Sequence, residues 1–303
     1  MVTRSVRCLF AVALAAGLSA AKPSAREPFQ EQARTARIWI TALAKGEPVT
    51  DLIKEDLDLS IGKQQRTIAR LTLNPPEPLS LKLVCDISGS RTHELPGIED
   101  SVGPRLFKLL LRPGDRGSVI AFNDRVYHSV GPTDRQDLLS LALYHLAAAQ
   151  PRGGTALYDA LYAALRPDSV GAGSHQGLVV VTDGDDNASH YSLDAVRDAL
   201  LASGYFVEPV RREPGDEGSF RVSIRKHTGA ERLEKVARGT GGAYFEALDE
   251  AGARHAFDSI AALLRAQYAL DFQPTVALRK KASEIRIRCR RKGVKMLAPE
   301  QYE

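Results

Sequence analysis

Cysteine is scarce in this chain, with three in 303 residues. Cys8 falls in the leader, Cys85 ends an apolar strand, and Cys289 lies in a different segment. Cys85 and Cys289 are therefore expected as free buried thiols, not as a disulfide. After the first twenty-odd residues, hydrophobic runs long enough to cross a bilayer are missing too, which excludes a membrane span. Charge of one sign is lacking: 41 Lys and Arg face 37 Asp and Glu. The basic residues are dispersed except for "RKK" and "RIRCRRKGVK" between 279 and 295. Aromatics are not interleaved with them, which argues against a nucleic-acid groove. No G-x-S-x-G elbow occurs, and "GSHQG" at 173–177 puts histidine where the serine would stand. A phosphate-cradling glycine loop with its lysine is also missing.

What is present begins with a leader. "MVTRSVR" carries two arginines and no acid, "CLFAVALAAGL" is an eleven-residue apolar run, and Ser19, Ala20 and Ala21 offer small residues for cleavage. Residues 1–21 thus read as a signal peptide, with a buried N-terminal helix as the alternative. No cysteine follows the small-residue box, so a lipid anchor is not expected. The mature chain is expected to be periplasmic or secreted, and loss of Arg4 and Arg7 lowers its formal charge from +4 to +2.

Three segments follow. Residues 22–76 read as β structure, because "RIWITALA", "LDLSIG" and "RTIARLTL" are apolar or alternating runs around turns. "NPPEP", 74–78, is a stiff linker that neither a helix nor a central strand would tolerate. Residues 79–272 alternate strands with helices, with "LSLKLVCD" and "QGLVVVTD" as continuously apolar strands. That pattern predicts a doubly wound, mostly parallel sheet covered on both faces. Within it, helices are expected over 97–111 and from Thr155. Another is capped by Thr133 and Gln136 with a stripe of Leu138, Leu141, Ala142 and Leu146. A further helix is capped by Ser192, and a long one ends near Arg265. The tail changes again: "QYALDFQP" and "SEIRIRCRR" alternate, Ile285, Ile287 and Cys289 on one side, and with 273–303 are expected to join the N-terminal strands in a small β module, an unstructured tail being the alternative.

Three loops leave strand ends carrying oxygen donors. "DISGS" offers Asp86, Ser88 and Ser90; "GGTALYD" offers Thr155; "VVVTDGDDN" offers Asp183. Open parallel sheets bind ligands at that end. Carboxylates and hydroxyls are hard ligands that suit Mg²⁺, with Mn²⁺ or Ca²⁺ possible, and not zinc. Taken singly, "DISGS" fits an ordinary turn and "TDGDDN" an acidic loop. The case for a metal site rests on all three occurring in this order.

These stretches carry a resemblance. "LVCDISGS", "LLLRPGDRGSVIAFND", "PRGGTALYDALYAAL" and "VVVTDGDDNAS" resemble the von Willebrand factor A domain, most closely the secreted bacterial VWFA-related (Acidobacterial) group. "GEPVTDLIKEDLDLSIGKQQ" and the pair "LRAQYALDFQP" and "IRIRCRRKGVKM" resemble the flanking segments of that group. The resemblance implies a Rossmann-like fold and a metal-ion-dependent adhesion site. Its form is Asp-x-Ser-x-Ser, then Thr, then Asp, matched here by Asp86, Ser88, Ser90, Thr155 and Asp183. Two departures stand out: Arg91 replaces an apolar residue after the last serine, and the insertion 211–227 is long, read as solvated filler over a partner-recognition loop.

Asp185, Asp186 and Asn187 lack the spacing of a calcium loop and read as an acidic rim. Asp159 is expected to orient its loop, and His93 and His190 to be solvated. The functional expectation is an exported adhesion or protein-interaction module whose ion accepts an acidic side chain from a protein partner. A hydrolase using the same ion is the alternative, although no base or leaving-group acid is evident. A scaffold with a vestigial site is the other.

Overall fold

The computed structural model describes residues 35–89, 103–149, 152–166, 175–212, 226–247, 249–274 and 283–302. The predicted signal peptide, Ser90, Arg91, His93 and most of the 211–227 insertion lie outside the described residues. No described helix is long and apolar enough to cross a membrane.

The central sheet is built on β6 (Leu79–Asp86), buried along its whole length. It runs parallel to β7 (Arg116–Phe122) on one side and to β9 (His175–Thr182) on the other. Beyond β9 come β10 (Phe206–Arg212) and β11 (Phe245–Ala247), both parallel. Beyond β7, a three-residue turn leads to the antiparallel edge strand β8 (Val126–Thr133). The order is therefore β11-β10-β9-β6-β7-β8.

Alternation along β6 divides the core. Leu79, Leu81, Leu83 and Cys85 pack against α1 (Gly103–Leu110), α2 (Gln136–Ala147) and α6 (Glu250–Arg265). Val84 faces the other layer, where α3 (Leu157–Ala164), α4 (Leu193–Ser203) and α5 (Lys226–Thr240) supply the apolar contacts. Lys82 is buried yet bonded: its Nζ donates to the carbonyls of Ala164 and Arg166 at 2.8 and 2.7 Å. Those groups end α3, where the helix dipole favours a cation.

Residues before and after this domain form two antiparallel sheets. One runs β14-β1-β12-β5, from Val294–Leu297, Ala36–Ala44, Tyr268–Phe272 and Ile68–Leu73, with β2 (Glu47–Pro48) paired to β1. The other runs β15-β13-β3-β4, from Gln301–Tyr302, Ser283–Cys289, Leu57–Ile61 and Gln64–Arg66. Ile38, Ile40, Leu59, Ile61, Tyr268, Phe272 and Ile285 meet in one core. Cys85 is buried and Cys289, expected buried, is half-buried; neither is in a disulfide.

The sequence expectations need correction at three places. The strand expected in "QYALDFQP", Tyr268–Phe272, pairs with β1 and β5 as the tail reading has it, so the boundary at 272 falls one strand late. Thr133 does not cap α2: the N-cap is Arg135, without a side-chain cap bond, and the Thr133 hydroxyl accepts from the Arg135 N–H. The buried stripe of α2 is Leu139, Ala142, Leu143 and Leu146, leaving Leu138 and Leu141 exposed at 39% and 51%.

Candidate functional site

The chain leaves β6 toward α1 on one face and β9 toward α4 on the other, so the crevice between these strand ends is a topological switch point. Two of the predicted site residues stand there. Asp86 ends β6 with 0% exposure, and Asp183 follows the last residue of β9 with 7%. Cys85 pairs with Val181, which places Thr182 beside Asp86. The Thr182 hydroxyl donates to Asp86 Oδ2 at 2.7 Å, and the Ser88 N–H donates to Oδ1 at 2.9 Å. The Asp183 carboxylate accepts from the Asp185 N–H at 3.0 Å in the same kind of local turn. Thr182 was not singled out from the sequence, where it reads as one more β-branched strand residue.

Backbone bonds tie the remaining donors to these two. The Ile87 N–H donates to the Phe122 carbonyl at 2.7 Å, Arg152 to Ile87 at 3.3 Å, and Gly89 to Gly153 at 3.1 Å. Ala156 donates to Asn123 at 2.7 Å, while Asn187 and Ala188 donate to the Thr155 carbonyl at 2.9 and 3.0 Å. Ser88 and Thr155 are thereby held, 0% and 3% exposed, on segments bonded to the loops of Asp86 and Asp183. Gly153 makes this closure possible: its φ is +81°, and a Cβ there would come within 2.9 Å of the Asp124 carboxylate. Of the five predicted donors the structure gathers Asp86, Ser88, Thr155 and Asp183; Ser90 lies outside the described residues.

The acidic rim has structural duties. Asn187 Oδ1 accepts from the Thr155 N–H at 2.8 Å, and Asp186 Oδ1 accepts from the Tyr158 N–H at 3.3 Å. Asp159 accepts from the N–H groups of His190 and Tyr191 at 2.8 and 3.0 Å, and its other oxygen meets His190 Nδ1 at 2.8 Å. Burial pushes the Asp159 carboxyl up, but His190 and these N–H donors outweigh it and hold the group below its usual range. Asp159 thus orients its loop, as expected.

Among the described residues no cluster of three or more His, Cys, Asp or Glu side chains is placed to hold a metal ion. The donors gathered here are instead two carboxylates and two hydroxyls. Their hardness fits Mg²⁺, Mn²⁺ or Ca²⁺, and sulfur or imidazole ligands that would favour zinc are not among them.

No protein-family model matches the chain, and no curated protein matches it. Solved structures do. A von Willebrand factor type A protein from Catenulispora acidiphila has a TM-score of 0.50 at 16% identity, covering 78% of this chain and 52% of its own. Proximal thread matrix protein 1 from the mussel byssus has a TM-score of 0.50 at 15% identity, covering 66% of this chain and 49% of its own. The chain thus spans about half the length of these structures. The comparisons do not support the narrower Acidobacterial group. At such identities the likeness is one of fold, and it agrees with the strand order and the two helical layers: residues from β6 to α6 form a von Willebrand factor type A fold.

Proposed function

We propose that this chain is an exported interaction module that binds a protein partner at the β6–β9 crevice through a divalent cation. Mg²⁺ is favoured, with Mn²⁺ or Ca²⁺ as substitutes. The single observation that carries the reading is that three loops at the switch point, carrying Asp86 and Ser88, Thr155, and Asp183, are bonded to one another, with both carboxylates held by N–H groups of their own loops. Asp86 and Asp183 would supply the negative charge, and Ser88, Ser90 and Thr155 neutral oxygens. A bound cation supplies a coordination position for an acidic side chain of the partner. Thr182 holds the Asp86 carboxylate in one orientation, and Asn187 holds the Thr155 backbone. The reading is one of binding, and the His190–Asp159 pair at the rim is assigned to fixing its loop. A matrix protein among the similar structures is consistent with such a role.

The test is partner capture from the native envelope with Mg²⁺ and with chelator, using wild type, Asp86→Ala and Thr155→Ala. Wild type is expected to bind only with the cation, Asp86→Ala to lose cation and partner together, and Thr155→Ala to weaken both with the fold intact. Equal capture in chelator by wild type and by both variants would overturn the reading.

A further inference from the structure

At the opposite end of the same strands, about 25 Å from Asp86 by strand length, lies a cavity of about 320 Å³. Trp39 of β1, the prolyl linker, Leu110, His175, Leu264 and Gln267 bound it, so both modules contribute walls. Trp39 stacks on His175 with ring centroids 3.6 Å apart. Three lining side chains carry a buried polar atom with no hydrogen-bond partner among the described residues: Glu77 Oε2, His175 Nε2 and Gln267 Oε1. His175 and Gln267 are 6% and 4% exposed. Buried polar atoms are almost always bonded, so three around one cavity point to something that bonds them.

The other polar groups of the wall are already engaged. Asp115 accepts from the N–H groups of Leu79 and Arg112, each at 2.8 Å. Arg265 donates to the carbonyls of Ala261 and Leu109 at 2.9 and 2.6 Å, and Arg112 donates to Asn74. Arg37 pairs with both Asp271 and Glu77. Around the cavity Arg37, Arg112 and Arg265 therefore balance Glu77, Asp115 and Asp271, and nothing in the lining calls for a charged guest. What is left over is two oxygen acceptors, a neutral imidazole nitrogen and an apolar surface of proline, leucine and indole.

We propose that this cavity binds a small neutral molecule with an apolar body and an N–H-bearing head, of the primary-amide or azole class. Its N–H groups donate to Gln267 and Glu77, and its acceptor or donor meets His175 according to the ring's tautomer. The size is that of small-ligand sites, and the lining joins an apolar wall to convergent polar atoms.

The experiment uses the mature chain and three probes of one shape, benzamide, benzamidinium and benzoate, read by ligand-observed NMR and by melting temperature. Benzamide is expected to bind and raise the melting temperature with concentration, the charged probes to bind at least tenfold more weakly, and Gln267→Leu to weaken benzamide about tenfold. Thr155→Ala should leave benzamide binding unchanged. Glu77→Ala serves as the second variant if Gln267→Leu does not fold. Preference for either charged probe, benzamide binding indifferent to both variants, or no benzamide binding with ordered water on the three atoms would overturn the proposal.

Discussion

Glu208 and His175 are buried groups whose proton affinities move in opposite senses. Burial pushes the Glu208 carboxyl up to about 8, only partly opposed by the N–H of Ala243 at 2.6 Å. Burial pulls His175 down to about 3. Between the ordinary carboxylate value of 4.5 and about 8, the folded chain holds a proton on Glu208 that the unfolded chain has lost, so stability falls as pH rises through that window. Between 6.5 and about 3, the unfolded chain binds a proton at His175 that the folded chain refuses, so stability falls as pH drops. The two slopes cancel where the windows overlap. Glu208 acts alone above that overlap, and His175 alone below it. Glu208→Gln, which keeps an acceptor for Ala243, should flatten the decline from pH 6.5 to 8, worth on the order of 2 kcal/mol. His175→Phe should flatten the acid limb from pH 4.5 to 3 by a similar amount. Urea titrations at intervals of half a pH unit check both, and unchanged slopes in either variant would refute the corresponding assignment.

At the level of elements, α3 shows why part of the site was legible and part was not. Its N-cap, Ala156, makes no side-chain cap bond. The orphan N–H groups are met from a loop about thirty residues on: Ser189 Oγ accepts from Tyr158 and Asp159 at 3.0 and 3.1 Å, and Asn187 from Thr155. Local capping signals in sequence cannot show this, because the acceptors are neighbours only after β9 has docked beside β6. Ser192, which caps its own helix by accepting from Ala195, was legible for the converse reason. The stripe of α2 failed differently. Apolar residues at 138, 139, 141, 142, 143 and 146 let two overlapping faces satisfy helical spacing, and packing on α1, β7 and β8 selects the second. Strand ends were read well because an apolar run that stops on an aspartate marks its own boundary. Ser189→Ala should leave the Asp159 N–H unmet and Tyr158 with only the longer bond to Asp186, lowering stability by about 1 kcal/mol, while Ser189→Thr, which keeps the hydroxyl that also donates to Asp186, should recover most of it. Chemical denaturation of both variants decides this, and no loss in Ser189→Ala would mean water caps the helix equally well.

For the whole molecule, the two modules are interlocked by chain path. The sheet β14-β1-β12-β5 takes strands from both sides of the central domain, and only Ala266 and Gln267 separate α6 from β12. Closing the antiparallel module thus spans the whole central domain, whose folding shortens the loop to be closed, and the Trp39–His175 stack adds a direct contact. A stabilising ligand at one end should then be felt throughout, as a shift of a single transition. The proposed site supplies the means, since Asp86 and Asp183 place two carboxylates at adjacent strand ends, an arrangement that a cation relieves. With a dissociation constant of about 1 mM, about 10 mM Mg²⁺ adds roughly 1.4 kcal/mol, a rise of a few degrees for a chain of this size. Thr155→Ala, which removes one neutral donor, should shrink the rise, and Asp86→Ala should abolish it. Calorimetry of metal-stripped protein with and without Mg²⁺ or Mn²⁺ is the measurement. A melting curve indifferent to both ions would make the site vestigial. Two transitions, of which only one moves, would show that the modules melt independently despite their shared chain path.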